Sequence, residues 1–287
     1  MTVGIATICR WRYADNDSGW AVLCVSDRML TNNYTQYEPP QMKLGQLGRR
    51  VSLLTAGEIH IHSEALREAQ KDIQSLPTED VQQIAEIYAA NVRAVKLRMA
   101  AQLHLAAYGL DEISFLARQR DMSPELVMDL ANKMERYSLE IEALIVGLDG
   151  NGKPGIYHID EKGVATNHTD IGFMTIGSGG PHARLQFMSA GYSQYNSNYY
   201  MSLTMSYFAK KSAEVSPGVG TSTDIVLITR DRSDVIEDQL KDKLQEIYEW
   251  FTGERKKIAL GAIQKVTDLL EAKEQDVPAS VPEDLPS

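Results

Sequence analysis

Thr2-Val3-Gly4-Ile5-Ala6-Thr7-Ile8-Cys9 and Trp20-Ala21-Val22-Leu23-Cys24-Val25-Ser26 decide how this chain is read. Both runs are short, apolar and rich in β-branched side chains, which suit a pleated backbone. The polar stretch Arg10 to Gly19 lies between them, so the pair predicts a hairpin with an enlarged loop. Working outward, Arg50 to Thr55 predicts a third strand ending at Ala56-Gly57. From Ser63 to about Leu105 the pattern turns helical, breaking at Leu76-Pro77 and restarting at Thr78-Glu79-Asp80, an N-cap followed by acids. More helix follows to Leu139, with a start signal at Ser123-Pro124-Glu125.

Strands return at Glu142–Leu148, Ile156–Ile159, Val164–Asn167 and Phe173–Ile176. Helices are expected over Pro181–Ala190 and Met201–Glu214, and a buried strand over Thr223–Thr229. Two amphipathic helices, Asp234–Phe251 and Glu254–Lys273, are divided by Gly253. The last stretch, with Pro278, Pro282 and Pro286 among acids and small residues, is expected to be disordered. Helices that enter in pairs between antiparallel strand groups predict an α+β fold, with helices on the outer faces and sheets inside. Strict β-α-β alternation and a glycine-rich phosphate loop after the first strand are both missing, which argues against a nucleotide-binding sheet.

Composition narrows the classes further. The 287 residues carry a net charge of -10, so phosphate backbones and anionic lipid are repelled and neither nucleic acid nor a membrane is an expected partner. No stretch reaches the ~20 apolar residues of a membrane span, and the N-terminus lacks a basic segment followed by an apolar one. Cys9 and Cys24 make no disulfide framework and read as small buried hydrophobes in a reducing, cytoplasmic setting. His60 and His62 would share a face on a strand but lack a third ligand, and His104, His158, His168 and His182 show no partner by spacing. No metal and no cofactor are expected.

Four features point to chemistry. Thr2 follows Met1, and removal of Met1 would leave a hydroxyl beside a free α-amine, which titrates near pH 8 and can act as base. Asp27 closes the second strand, and Lys43-Leu44 precedes the third. An Asp27–Lys43 pair beneath Thr2 would lower the hydroxyl pKa. Gly177-Ser178-Gly179-Gly180-Pro181 joins a strand to a helix, where a hydroxyl and free N–H groups suit proton relay or anion binding. Each has an ordinary reading as well: a common N-terminus, a turn acid, a surface lysine, a glycine turn.

Together these residues resemble the proteasome β subunits and the proteasome-like peptidases of bacteria. The shared motifs are Thr2, Asp27-Arg28, Lys43-Leu44, Ala56-Gly57, Gly177-Ser178-Gly179 and Asp224-Ile225-Val226-Leu227-Ile228. Asp27 and Lys43 stand sixteen positions apart, and Lys43 and Gly57 fourteen, as in that family. The resemblance implies an N-terminal-nucleophile (Ntn) hydrolase with a four-layer αββα sandwich over residues 1–231, against which the helical stretch at about 106–138 reads as an insertion, 232–273 as a helical extension and 274–287 as a disordered tail. It implies threonine-type cleavage of peptide bonds. Thr2 is the nucleophile, Lys43 and Asp27 its electrostatic support, the Gly57 N–H the oxyanion donor and Ser178 a proton relay. Gly179 stands beside that relay, and Leu30, Thr55 and Ile59 border the substrate pocket, with no strongly charged preference. The partners implied are a peptide or protein substrate and further subunits in a ring or open ring, with any unfoldase left unspecified.

The chain departs from the family in places. Thr2 to Asp27 spans 25 positions, more than is usual there. The stretch before the last strand, Val215 to Ser222, lacks the family's Asp, with Ser216 near its place. Two other functions therefore stay open: a non-catalytic ring or scaffold subunit, and a stand-alone Ntn amidohydrolase on a small amide. The tyrosine-rich run from Gly191 to Tyr200 reads equally as a subunit contact or as a loop packed on its own domain.

Overall fold

A computed structural model describes residues 2–12, 18–32, 35–39, 42–76 and 80–275. Met1 and the tail from 276 lie outside them, as does Thr78, one of the residues of the expected helix start. The chain divides into two compact units, one running through Ile236 and one starting at Glu237.

In the first unit, strands β1 (Gly4–Arg12) and β2 (Ser18–Ser26) form the expected hairpin, but both run further into the polar stretch than their apolar runs suggested. Cross-strand pairing continues as far as Arg12 opposite Ser18, and the Arg10 guanidinium lies 3.7 Å over the Trp20 ring. That cation–π contact gives the polar part of the ladder an apolar surface to pack on. A short hairpin, β3 (Leu30–Asn32) and β4 (Thr35–Tyr37), follows. Then come β5 (Leu44–Gly48) and β6 (Val51–Ala56).

Helices α1 (Ile59–Gln74) and α2 (Val81–His104) come next, and the cap of α2 is Asp80, whose carboxylate accepts from the N–H groups of Gln82 at 2.8 Å and Gln83 at 3.1 Å. The 106–138 segment carries α3 (Glu112–Ala117) and α4 (Pro124–Arg136), the latter begun by Ser123 and Pro124 as read from sequence. A small core of its own joins Leu105, Leu110, Phe115 and Leu130 to Ala101 of α2.

Strands β7 (Glu142–Leu148), β8 (Pro154–Ile159), β9 (Ala165–Asn167) and β10 (Phe173–Ile176) lead to α5 (Gly180–Ser189) and α6 (Tyr199–Ala213), and β11 (Asp224–Ile228) and β12 (Ser233–Val235) end the unit. Two antiparallel five-stranded sheets result, ordered β10-β1-β2-β11-β12 and β5-β6-β7-β8-β9, so the fold is α+β. Alternation along each strand sends one set of side chains to each face. Ala6, Ile8, Val22, Cys24 and Val226 of one sheet meet Leu54, Leu144, Val146 and Ile156 of the other. The far face of the second sheet packs Leu53, Ala143 and Ile145 against Ile61, Ile84, Tyr88 and Val92 of α1 and α2. Helices α5 and α6 pack against β1, β2 and β10.

In the tyrosine-rich run, Tyr192 is buried, its hydroxyl 2.7 Å from the Ile8 carbonyl, whereas Tyr195 and Tyr200 are exposed. The run thus holds both a packed and an outward-facing part.

Among the described residues the second unit holds one helix, α7 (Asp238–Gln275), and not two. Each glycine in a helix interior, here Gly253 and Gly261, costs about 1 kcal/mol relative to alanine, which 38 consecutive residues absorb. No helix among the described residues is long and apolar enough to cross a membrane.

Candidate active site

Strand register gathers the site at one end of the first sheet. Gly4 of β1 pairs with Ile176 of β10 and also with Ser26 of β2, and Ser26 pairs in turn with Asp224 of β11. Thr2, Asp27 and Gly177-Ser178 must therefore emerge side by side, although 176 positions separate Thr2 from Ser178. In the second sheet Ala56 pairs with Glu142, which brings Gly57 and Glu142 to one edge, and Lys43 stands just ahead of β5.

The Thr2 hydroxyl donates to Asp27 Oδ1 in a short hydrogen bond and accepts from Lys43 Nζ at 2.7 Å. Lys43 Nζ also lies 3.3 Å from Asp27 Oδ1 and 3.4 Å from Oδ2. Asp27 is fully buried. Its carboxylate accepts three backbone N–H groups, from Val3, Met29 and Gly220, each at 3.0 Å. A buried carboxylate needs such donors, since an unsatisfied one would carry a desolvation cost of several kcal/mol. Burial also pulls the Lys43 ammonium below the ordinary lysine value, against the opposing charge of Asp27. The Thr2 N–H donates to Ser178 Oγ at 3.3 Å, and the Gly179 N–H donates to the Thr2 carbonyl at 3.1 Å. Nearby, Arg28 grips the buried Asp224 through two hydrogen bonds of 2.9 and 2.6 Å, tying the end of β2 to the start of β11.

Gly57 sits at φ +99, and a Cβ there would come within 2.2 Å of the Glu140 carbonyl oxygen. Both conformation and space require glycine. The backbone around it is held from behind by a residue that the sequence offered only as a weak metal ligand. On α1, His60 points outward beside Glu58, while His62 is buried, its Nδ1 2.7 Å from the Tyr88 hydroxyl and its Nε2 2.9 Å from the Ala56 carbonyl. Burial drives the His62 pKa down to about 4, so the ring is neutral. A carbonyl only accepts, so Nε2–H donates to Ala56 and Nδ1 accepts from Tyr88. Among the described residues no group of three or more His, Cys, Asp or Glu side chains is placed to hold a metal ion.

Thr2, Lys43, Gly57 and Ser178 line a cavity of about 1090 Å3 together with Leu30, Thr55 and Ile59. Ser216 is not on its wall; its backbone closes a turn, with its N–H to Ala213 and its carbonyl to Val219. Carboxylates that the sequence did not single out do line it: Glu58, Glu64, Glu140 and Glu142, against the cations Lys43 and Arg67 and the imidazole of His60. The wall is thus more charged than Thr55 and Ile59 suggested. Glu64 is held by Arg98, whereas Glu142 accepts from the Gly177 N–H at 2.8 Å and lies 3.4 Å from His158 Nε2. His158 and the Gly177 N–H hold the Glu142 carboxyl below the usual carboxylate range despite partial burial. Glu140 is the one described non-glycine residue with a left-handed backbone, at φ 51.

Cys9 and Cys24 are buried thiols, that of Cys9 pushed up to about 12 by burial, and neither reaches the cavity. Comparison of the sequence with protein-family models and with curated proteins finds no match.

Proposed function

We propose that the first unit is a proteasome-like Ntn hydrolase of four-layer αββα architecture and that Thr2, once Met1 is removed, cleaves peptide bonds as its N-terminal nucleophile. Support for the architecture comes from two facing sheets, with α1 and α2 on one outer face and α5 and α6 on the other. The observation that carries the chemistry is the Thr2 hydroxyl held between Lys43 Nζ and buried Asp27 at the wall of the cavity.

In this reading Thr2 Oγ1 attacks the substrate carbonyl carbon, and its proton passes to the Thr2 amine directly or through a water. The Lys43 ammonium stabilises the negative charge that develops on Oγ1, and Asp27 keeps the ammonium in place. The Gly57 N–H receives the charge on the carbonyl oxygen. The proton then goes to the departing amine as the C–N bond breaks, leaving an ester on Thr2. A water molecule hydrolyses that ester and restores the hydroxyl. Ser178, in contact with the Thr2 nitrogen, relays protons. No cofactor enters this scheme. A peptide or protein is the substrate, further copies of the chain are the expected partners, and the cytoplasm is the expected location.

Intact mass of the purified protein before and after treatment with a peptidyl epoxyketone tests the proposal. The expected result is a mass short by one methionine, then a single adduct on Thr2. Retained Met1 in material that hydrolyses peptides overturns the mechanism. A large oligomer inert to the epoxyketone favours a scaffold subunit, and a monomer that cleaves only small amides favours a stand-alone amidohydrolase.

A further inference from the structure

Lys210 is a fully buried cation that takes no part in the chemistry above. It projects from α6, and its Nζ donates to the carbonyls of Gly220 at 2.9 Å and Thr221 at 2.8 Å and to the Glu214 carboxylate. The two carbonyls belong to the segment before β11 whose Gly220 N–H reaches Asp27. From the other side, the carboxylate of Glu38, just past β4, accepts the Ser222 N–H at 3.2 and 3.3 Å and the Ser222 hydroxyl in a short bond. A cation on the carbonyls and an anion on the N–H hold this segment at both ends, and charged partners make the stronger hydrogen bonds.

We propose that Lys210 and Glu38 form an electrostatic clamp that positions the Gly220 N–H on Asp27, and through Asp27 sets Lys43 against the Thr2 hydroxyl. Both are positioning residues, since neither lines the cavity. Their charges also reach the site: Lys210 acts on Glu38 and is acted on by Asp27, Glu214 and Lys211, and Glu38 acts on Lys43. Burial, with Lys211, pulls Lys210 below its ordinary value against the opposing charges of Glu214 and Asp27, while Ser222 and Lys210 outweigh the effect of burial on Glu38 and hold it below its own. The two clamp charges are opposite, so removing them must shift the titration of the attacking Thr2 amine in opposite directions. Losing the cation disfavours deprotonation and losing the anion favours it. A purely structural role would shift both variants alike or neither.

The catalytic consequence rests on the hydrolase reading, and the clamp itself does not, so two measurements on the full chain separate them. The first is hydrogen exchange at the Gly220 amide in the wild type, Lys210→Met and Glu38→Gln. Exchange about ten-fold faster or more in either folded variant is expected; unchanged exchange in both overturns the clamp. The second is the pH dependence of epoxyketone labelling, followed by intact mass. We expect the maximal labelling rate to fall on the order of ten-fold with little change in probe affinity, because small misplacements at a reacting group are costly. The rising limb should move up by roughly half a pH unit in Lys210→Met and down in Glu38→Gln. Shifts in one direction only, or none, overturn the positioning role. A wild type that is never labelled at Thr2 overturns the hydrolase reading, and the exchange result then decides the clamp. If Lys210→Met does not fold, the half-exposed Glu38→Gln decides alone: faster Gly220 exchange with a rising limb moved down supports the clamp, and unchanged exchange or a limb that stays or moves up overturns it.

Discussion

At the scale of single residues, Thr2 and Lys43 make one unit, with the hydroxyl oxygen 2.7 Å from the ammonium. Thr2→Ala and Lys43→Ala should each lower peptide hydrolysis by at least ~1,000-fold, on the order of 4 kcal/mol of barrier, while circular dichroism shows both variants folded. Residual activity above one tenth in either variant would contradict their assigned roles.

His62 supplies a pH signature of a different kind. Its folded pKa of about 4 lies below the ordinary histidine value of about 6.5, so the unfolded chain binds the proton more readily. Stability from this group is therefore complete above pH 6.5 and is lost as pH falls toward 4, to a limit of about 3 kcal/mol. His168, also lowered by burial, contributes in the same sense. Urea midpoints between pH 7 and 4.5 should fall less steeply in His62→Asn than in wild type, and parallel curves would remove His62 from the account. The motif residues were legible because their types and spacings match those of a family that the sequence resembles. His62 was not, since a histidine two positions from another on an amphipathic segment carries no mark of the carbonyl it will meet.

At the scale of elements, most strands and helices followed from periodicity and turn residues: β7, β10, β11 and α4 lie where those signals put them. The exceptions have several causes, and β5, carrying Gly45 and Gly48, shows no alternating apolar run either. The hairpin β3–β4 and the strand β12 are only three residues long each, too short for alternation to show, and they exist by pairing with neighbours. The outer halves of β1 and β2 are polar and held by each other. In α7, Gly253 resembled a boundary, but a stop also needs a terminating conformation and a cap, and the helix runs on through it. Gly253 is exposed with open space where a Cβ would stand. Gly253→Ala should therefore stabilise α7 by about 0.8 kcal/mol, read as a higher far-ultraviolet helix signal across a thermal scan. A loss of helix would mean that the glycine conformation is required there.

At the scale of the whole molecule, the cavity and the outer faces carry the expectations about partners. Glu140 has no side-chain partner among the described residues, and Glu142 is held in its charged form beside Gly177. Anionic groups should therefore be repelled from this wall. Peptides with arginine or leucine before the cleaved bond should turn over ten-fold or more faster than those with aspartate, measured as kcat/KM. Equal rates would show that these carboxylates do not face the substrate. On the outside of the first unit, Leu97 and Leu103 of α2, Ile113 and Leu116 of α3 and Met128 of α4 are exposed. Exposed apolar side chains mark association surfaces where they gather into one patch. Light scattering coupled to gel filtration should give a multiple of 32.0 kDa, and charged replacements at Ile113 and Leu116 should shift it toward the single chain if that surface is the contact.

Local signals in the sequence determined the alternation of strand groups and helix pairs, the glycine at position 57 and the set Thr2, Asp27, Lys43 and Ser178, because each depends on propensity, backbone conformation or motif spacing. Tertiary structure alone decided what surrounds that set. The Gly220 N–H on Asp27, the Tyr88 hydroxyl on the buried His62 ring and the Glu142 carboxylate at Gly177 join residues 193, 26 and 35 positions apart in the chain. The physical reason is that hydrogen-bond satisfaction in a closed core depends on which groups meet there, and sheet register determines that meeting over distances that no local pattern records.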